Sequence, residues 1–266
     1  MADEIFSVDA STAIVTGGSG GIGASIAERF VENGANVVVC SREQTRVDEV
    51  AETIDDRNLS GDIRAVECDV TDRPAVDELV EAAVDQFGSL DVLVNNAGAS
   101  FMAPFEELSE NGWKTIVDIN LHGTFHCTQA ATTRMKEHGG GSIVNISSSA
   151  AIHGAPLMTH YGAAKAGMLN LTRTLAYELA DHDIRVNCIA PGIVVTEGME
   201  SQMGFTADDI DRMTVKRRVG LPEEIADVSR FLASPAASYL TGETITVGGV
   251  PRVEETHEFS DPYAWS

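Results

Sequence analysis

Three side chains near the middle of the sequence have the types and spacing of a proton-transfer site: Ser148, Tyr161 and Lys165. Tyr161 and Lys165 are four residues apart, so on a helix they share one face and the ammonium lies near the phenol. Because a nearby cation favours the phenolate, we expect the pKa of Tyr161 to be lowered from about 10 toward neutrality. Such a phenol can exchange a proton with an alcohol or a carbonyl oxygen.

A glycine-rich segment, Thr16–Gly23 (TGGSGGIG), follows the apolar run Thr12–Val15 and precedes a helical pattern. Glycines at a strand–helix junction let the backbone approach a pyrophosphate, and the helix N-terminus adds free N–H groups and partial positive charge. Its position at the first such junction favours dinucleotide binding over a flexible loop. The expected contacts in this turn are Gly17, Ser19, Gly21, Ile22 and Gly23.

The end of the second apolar run indicates which dinucleotide is bound. An acidic residue there would bind the ribose 2′-hydroxyl of NAD, but the sequence has Ser41 followed by Arg42, which suits a 2′-phosphate. The position before Gly21 is not basic, so a second phosphate partner is missing there. NADP is therefore the expected cofactor and NAD stays possible; an ion pair on an acidic surface is the other explanation of Arg42.

Short apolar runs alternate with longer amphipathic stretches along the whole chain, and this alternation predicts an α/β fold. We expect a single Rossmann-type, doubly wound parallel sheet with helices on both faces. One dinucleotide-binding and catalytic domain would span residues 1–250, and residues 251–266 would form an acidic C-terminal extension. The predicted strands are Thr12–Val15, Asn36–Cys40, Arg64–Val66, Val92–Asn95, Ser142–Ile146, Arg185–Ile189 and Thr244–Val247. The predicted helices include Gly23–Val31, Val76–Gln86, Trp113–Met135, Tyr161–Leu179 and Glu223–Ala233.

In this order, the motifs resemble the short-chain dehydrogenase/reductase family. The resemblance covers nearly the whole chain, apart from about the first ten and last fifteen residues. It rests on the glycine-rich turn, Cys68-Asp69-Val70, Asn95-Asn96-Ala97-Gly98, Asn120, Ser148, Tyr161 with Lys165, and Pro191-Gly192 with Thr196.

The resemblance implies a role for each matched residue. Tyr161 would be the acid/base, Ser148 would hydrogen-bond the substrate oxygen, and Lys165 would hold the nicotinamide ribose and tune Tyr161. Asn120 would help to relay the proton to solvent through water. Among the cofactor contacts, Asp69 and Val70 would lie at the adenine, Asn96 and Ala97 at the adenosine ribose, and Pro191, Gly192, Val194 and Thr196 toward the nicotinamide end.

Substrate specificity is expected in residues 196–220 and in Ile152–His160. The first segment contains a basic run, Lys216-Arg217-Arg218, which either meets the phosphates of a thioester carrier or pairs with surrounding carboxylates. Its apolar residues either form an adaptable lid or anchor a helix: Met199, Met203, Phe205, Ile210 and Met213.

The leading hypothesis is an NADP(H)-linked reductase of a ketone, most simply a 3-oxoacyl thioester. An NAD(P)-dependent sugar or polyol dehydrogenase is the alternative, motivated by the polar Ser149, His153 and His160 near Tyr161. A nucleotide-binding sensor without catalysis is disfavoured, because such a protein would be expected to lack part of the Ser–Tyr–Lys set.

Charge and cysteine content limit the partners. The 266 residues include 41 Asp and Glu against 18 Lys and Arg, a net charge of −23, which argues against nucleic-acid or membrane-surface binding. Adaptation to high salt explains this imbalance better than ordinary acidity, since salt screens repulsion between carboxylates. There is no secretory signal or membrane-spanning run, and the four scattered cysteines suit reduced, buried thiols, so we expect a cytoplasmic protein.

Two further features bear on metals and assembly. His122 and His126 have the spacing of two ligands on one helix face, but no third ligand has recognisable spacing, so no metal is expected. The resemblance implies a homo-oligomer, a dimer or tetramer.

The sequence departs from the family pattern in two places. One is Val247-Gly248-Gly249-Val250, where the family often has Val-Asp-Gly-Gly; the other is the longer C-terminal tail with its aromatic residues.

Overall fold

Parallel strands make up the centre of the molecule. The computed structural model describes residues 4–196, 206–214 and 218–250. Within these residues, seven strands form one parallel sheet in the order β3-β2-β1-β4-β5-β6-β7, which confirms the predicted fold class. The strands are β1 Thr12–Thr16, β2 Asn36–Ser41, β3 Ile63–Glu67, β4 Val92–Asn95, β5 Gly141–Ile146, β6 Ile184–Pro191 and β7 Thr244–Val247.

The central strands are continuous apolar runs because helices cover both faces of the sheet. Every residue of β1 and β4 is buried, whereas β3, at one edge, is only partly buried. The described helices are α1 Gly21–Glu32, α2 Gln44–Asp55, α3 Arg73–Phe87, α4 Glu110–Val117, α5 Gly123–His138, α6 Thr159–Glu178 and α7 Pro222–Ala233.

Two apolar layers hold the helices on the sheet. On one face α1, α2 and α7 contribute Phe30, Val47 and Ile225 to a single buried cluster. On the other face α3 and α5 contribute Leu79 and Met135, and the second half of α6 joins them. The sheet is therefore enclosed, and its carboxyl edge is where loops are free to form a site.

The strand order reverses between β1 and β4, which are neighbours in the sheet although two strands separate them in the sequence. In an open parallel sheet, the loops that follow such a pair of strands diverge to opposite faces and leave a crevice at the carboxyl edge. The glycine-rich turn follows β1 and the Asn95-Asn96-Ala97-Gly98 segment follows β4, so both motifs lie at this crevice.

Two helical elements differ from the prediction. Helix α2 was missed, although Val47, Ala51 and Ile54 have the spacing of one buried helix face. The helix predicted at Trp113–Met135 begins earlier and is interrupted by a π turn at Asp118–His122. The other predicted strands and helices agree with the structure within a few residues.

All four cysteines are buried and form no disulfide, as expected: Cys40, Cys68, Cys127 and Cys188. In the described ranges, no helix is both long enough and apolar enough to cross a bilayer. The proposed C-terminal extension lies outside the described residues.

Candidate active site

The glycine-rich turn brings its backbone close to α1. A Cβ added at Gly23 would lie 2.3 Å from the Gly17 carbonyl oxygen, so only glycine permits this approach. Gly17 and Gly21 have φ angles of +66° and +53°, which side chains rarely adopt. No acidic residue lies in the first turn of α1, so the partial positive charge of the helix N-terminus is not neutralised there. Ser19 and Ile22 are half-buried in the same turn.

The end of β4 holds the glycine-rich turn in place. The Thr16 hydroxyl accepts hydrogen bonds from the backbone N–H groups of Asn96 and Ala97, both at 3.0 Å. The Asn96 side-chain amide donates to the carbonyls of Thr16 and Gly17, also at 3.0 Å. Asn96 therefore stabilises the turn itself, in addition to the contact with the adenosine ribose that the sequence predicts.

The predicted adenosine contacts lie at the carboxyl ends of β2 and β3. Ser41 ends β2, and its hydroxyl donates to the Glu43 carbonyl at 3.1 Å. Arg42 is exposed and, among the described residues, takes part in no hydrogen bond or ion pair. Asp69 and Val70 follow β3, and Cys68 N–H donates to the Ser41 carbonyl at 2.8 Å, which joins the two segments.

The structure brings Ser148, Tyr161 and Lys165 close to one another. Ser148 follows β5, and Tyr161 is in the first turn of α6; the Ser148 side chain is close enough to the Tyr161 phenol to lower its pKa by hydrogen bonding. The Ser148 oxygen also accepts the Ala150 N–H at 3.1 Å, which orients the side chain. Two hydroxyls therefore converge at the carboxyl edge, where a single substrate oxygen can meet both.

The electrostatics of Tyr161 differ from the prediction. Burial raises the pKa of the Tyr161 phenol above its ordinary value, and the hydrogen bond with Ser148 opposes this rise. The Lys165 ammonium lies 5.7 Å from the centre of the Tyr161 ring and donates to the Ile146 carbonyl at 2.7 Å. The expectation that Lys165 lowers the pKa of Tyr161 is wrong for this arrangement, because desolvation of the phenolate dominates.

Lys165 is itself strongly affected by its surroundings. It is buried, and this burial lowers the pKa of its ammonium to about 8. The Ser147 hydroxyl donates to the Lys165 backbone carbonyl at 2.9 Å and fixes this turn of α6 on β5. The Cys188 thiol beside it is neutral at physiological pH, since burial raises its pKa to about 11.

Asn120 lies in the π turn between α4 and α5. Its side-chain amide donates to the carbonyls of Ala99 and Ile116, at 2.8 and 2.9 Å, and the side chain is buried. Within the described ranges, its Oδ1 has no hydrogen-bond partner. A Cβ at Gly98 would lie 2.8 Å from this oxygen and 3.5 Å from the Lys165 ammonium, so Gly98 leaves open the space that both atoms face. The sequence motif contained Gly98, but its role is visible only in the fold.

The residues expected at the nicotinamide end follow β6. Pro191 ends the strand, and Gly192 N–H donates to the Val247 carbonyl at 2.9 Å, while its Cα approaches Gly248 too closely for a side chain. Val194 is buried and forms a β-bridge with Gly220. The Thr196 methyl group lies 3.0 Å from the position that a Cβ on Gly21 would occupy, so the β6 loop covers the glycine-rich turn.

Exposed apolar residues form a rim in the loops next to Ser148 and Tyr161. Two loops form this rim and are joined by a hydrogen bond from Ala103 N–H to the Leu157 carbonyl at 2.9 Å. The Phe101 ring packs edge-on against His160, 4.3 Å between centres, and covers it. The rim residues, all large, apolar and 41–71% exposed, are Phe101, Met102, Phe105, Ile152 and Leu157.

Taken together, Ser149, His153 and His160, which motivated the sugar or polyol hypothesis, are less exposed to a substrate than that hypothesis requires. His160 is completely buried beneath Phe101, and burial lowers its pKa. His153 is exposed and Ser149 half-buried. Only His153 of these three therefore offers a fully accessible polar group beside the rim.

The segment expected to determine specificity is described in part. Its last residue, Gly220, pairs with Val194 just before the segment begins, and Met213 within it is exposed. Arg218 forms a double ion pair with Glu224, at 2.6 and 2.7 Å, so this arginine of the basic run pairs with a carboxylate. Outside the described residues lie Met199, Met203, Phe205, Lys216 and Arg217.

The crevice suits a dinucleotide. The glycine turn without side chains and the acid-free N-terminus of α1 can hold a pyrophosphate. Arg42, which has no partner among the described residues, follows β2 and can hold an adenosine phosphate. Near Gly98, the buried Lys165 ammonium can donate to a ribose or water hydroxyl, and the Asn120 Oδ1, which has no partner in the described part of the chain, can accept from one.

Comparisons with known proteins agree with this geometry. A family model described as enoyl-(acyl carrier protein) reductase matches residues 17–250. The chain is 39% identical over 240 residues to a 3α-hydroxysteroid dehydrogenase of Mediterraneibacter gnavus, covering 90% of this chain and 96% of that protein. It is 37% identical over 245 residues to a 3-oxoacyl-[acyl-carrier-protein] reductase of Thermotoga maritima, covering 91% and 98%.

Solved structures give the same result. A 7α-hydroxysteroid dehydrogenase, determined with NADH and 7-oxo glycochenodeoxycholic acid, superposes with a TM-score of 0.84 and 35% identity. The similarity covers 93% of this chain and 96% of that one, so the whole sheet and both helical layers are shared.

Proposed function

The chain belongs to the short-chain dehydrogenase/reductase family, oxidoreductases that act on CH–OH and keto groups, and we propose that it reduces a ketone of apolar character with NADP(H). The convergence of the Ser148 and Tyr161 hydroxyls beside the buried Lys165 is the observation that carries this proposal. A proton donor, a second hydrogen-bond partner and a nearby cation together favour proton transfer to a carbonyl oxygen.

In the proposed mechanism the bound cofactor supplies the hydride, and the protein supplies position and the proton. Ser148 and Tyr161 bind the carbonyl oxygen, and Tyr161 donates its proton as the oxygen becomes an alcohol. The raised pKa of Tyr161 keeps the phenol protonated for this donation. Lys165 and Asn120 face the space beside Gly98, from which the proton can be replaced through water.

The choice of NADP(H) is supported by Arg42. In the described part of the chain most arginines bind carboxylates or carbonyl oxygens, whereas Arg42 stands at the end of β2 with no partner. A guanidinium in that place can bind a 2′-phosphate bidentately. One structural neighbour was solved with NADH, so NADH is the comparison cofactor in every test.

The apolar rim supports a substrate with an apolar body over a sugar or polyol. Exposed Phe, Met, Ile and Leu side chains beside the reacting hydroxyls gain by burial against a hydrocarbon. A 3-oxoacyl thioester is our first candidate, in line with the name of the Thermotoga maritima relative. A keto steroid, suggested by the hydroxysteroid dehydrogenase relatives, has the same apolar character. The cytoplasmic location and the homo-oligomeric assembly stay predictions.

A substrate panel separates these candidates. Initial rates are measured in molar KCl with acetoacetyl-CoA, a keto steroid, and a set of aldoses and polyols, each with NADPH and with NADH. We expect the highest kcat/KM with acetoacetyl-CoA and NADPH. Turnover of polyols alone would contradict the proposed substrate class, while leaving the family assignment intact.

Replacing Tyr161 tests the catalytic proposal. Tyr161→Phe removes the proton donor but keeps the ring, so we expect kcat to fall by about 10² to 10⁴. Tyr177→Phe, in the same helix at a position 87% exposed, is the matched control and should retain full activity. Unchanged ketone reduction by Tyr161→Phe would overturn the assignment.

A further inference from the structure

We propose that His126 is a positioning residue for the cofactor, because it fixes the adenine-facing turn Asp69–Asp72 against α5. This inference rests on the proposed function and on the placement of Asp69 and Val70 at the adenine, which the resemblance to the family implies. In the sequence His126 stood out only as half of the His122–His126 pair, for which no metal was expected, and in the structure its Nδ1 contacts the Val70 carbonyl.

The turn after β3 is shaped by its own hydrogen bonds. The Asp69 carboxylate accepts the Thr71 N–H at 2.9 Å and the Thr71 hydroxyl at 2.8 Å, and Asp72 N–H donates to the Asp69 carbonyl at 2.9 Å. These bonds define the local conformation. They do not determine where the turn lies relative to the helix beside it.

Two contacts with α5 supply that position. Gly123 has no side chain, and a Cβ there would lie 2.6 Å from the Val70 side chain, so Val70 packs directly on the helix backbone. One turn later, the His126 ring nitrogen Nδ1 lies 3.1 Å from the Val70 carbonyl oxygen. Since a carbonyl only accepts, His126 is the donor and carries its proton on Nδ1.

The Val70 backbone is therefore held from two directions. Gly123 sets how closely the turn approaches α5, and the His126 bond sets the direction of the Val70 peptide group. The turn follows β3 at the carboxyl edge of the sheet, where the adenosine half of a dinucleotide extends from the glycine-rich turn. Residues that contact a ligand are positioned by the residues that hydrogen-bond and pack against them. Loss of the His126 bond should therefore weaken adenosine binding.

The test compares three variants by titration calorimetry. His126→Ala removes the donor, whereas His126→Asn keeps an N–H donor near the position of Nδ1. His138→Ala is the matched control, because His138 lies in the same helix and its Nδ1 also bonds a backbone carbonyl, that of Arg134 at 2.7 Å, but remote from the turn. The ligands are NADPH, NADH and the adenosine fragments 2′,5′-ADP and 5′-AMP.

We expect His126→Ala to weaken binding of the dinucleotides and of the adenosine fragments by the same factor, about five-fold for one lost hydrogen bond. His126→Asn should recover most of the affinity, and His138→Ala should bind as the wild type does. At saturating NADPH, kcat of His126→Ala should equal that of the wild type, a result that general loss of structure would not give.

Two outcomes would overturn the inference. One is unchanged affinity of His126→Ala for the adenosine fragments; the other is a fall in kcat at saturation with unchanged fragment affinity. Failure of the proposed function looks different, since the wild type itself would then bind neither dinucleotide.

Discussion

At the scale of single residues, the site combines groups whose protonation is shifted by burial. The Lys165 ammonium is buried and donates to the Ile146 carbonyl, and the Tyr161 phenol is held in its protonated form. A buried cation costs folding free energy because its charged form loses hydration. The protein therefore keeps Lys165 at the expense of stability, which is expected of a functional position.

Replacing Lys165 by Met should reveal this cost as a pH-dependent difference in stability. The pKa of Lys165 is about 8 in the folded protein and 10.5 when unfolded, so between these values the unfolded chain binds more protons. The unfolding free energy of the wild type should then rise, relative to Lys165→Met, by up to about 3 kcal/mol as the pH increases from 8 to 10.5.

Urea unfolding at half-unit steps of pH measures this difference. Lys114→Met, at an exposed lysine, is the control and should follow the wild type at every pH. If Lys165→Met also follows the wild type throughout, the ammonium of Lys165 is not desolvated as the structure indicates.

At the same scale, the proposed preference for NADPH depends on Arg42. Arg42→Ala should raise the KM for NADPH about ten-fold and leave the KM for NADH unchanged, because only NADPH carries the 2′-phosphate and a charge-assisted hydrogen bond contributes about 1.5 kcal/mol or more. Steady-state kinetics with both cofactors test this. Arg173→Ala, which removes another exposed arginine, should change neither value; equal changes in both for Arg42→Ala would exclude a specific phosphate contact.

At the scale of elements, the sequence predicted the strands and helices whose residues follow a regular apolar pattern. Strands β1 and β4 are buried on both faces, so they appear in the sequence as continuous apolar runs. Helix α1 is buried on one face, so its apolar residues recur at helical spacing. The Tyr161–Lys165 spacing placed both residues on α6 correctly.

What the sequence did not predict depends on tertiary contacts. The π turn at Asp118–His122 accompanies a buried Asn120 whose amide bonds two backbone carbonyls, one of them in the β4 loop. The pKa of Tyr161 depends on burial, which spacing along a helix does not reveal. The anchor from Thr16 to Asn96 joins residues 80 positions apart, a separation beyond any local pattern.

The junction of β1 and α1 should be the least tolerant part of the crevice. Gly23→Ala places a methyl group 2.3 Å from the Gly17 carbonyl, so the turn must move. We expect a loss of about 1 to 3 kcal/mol in unfolding free energy and weaker NADPH binding. Gly154→Ala is the control, because a Cβ there meets no atom within 4 Å. Wild-type stability and affinity in Gly23→Ala would show that the turn adapts without cost.

At the scale of the whole molecule, we expect repulsion between carboxylates to affect stability more than the surface ion pairs do. A network on one side joins Arg57, Glu32, Arg29, Asp227 and Arg212, and so links α1, α7 and the described part of the specificity segment. Exposed pairs of this kind contribute little each. The remaining carboxylates, within a total of 41 acidic against 18 basic residues, repel one another across the surface.

The net charge of −23 should therefore make stability increase with salt. The Debye length shortens to about 3 Å at 1 M salt, so repulsion between separated carboxylates is screened while contact ion pairs are weakened less. We expect the unfolding free energy, measured with the uncharged denaturant urea, to rise steadily from 0.05 M to 1 M KCl. A variant with Glu52→Gln, Asp85→Asn and Glu178→Gln, three exposed carboxylates without a described partner, should be more stable at low salt and depend less on KCl. A decrease with salt would mean that the ion pairs dominate, and equal slopes for both proteins would mean that KCl acts through the solvent instead of the surface charge.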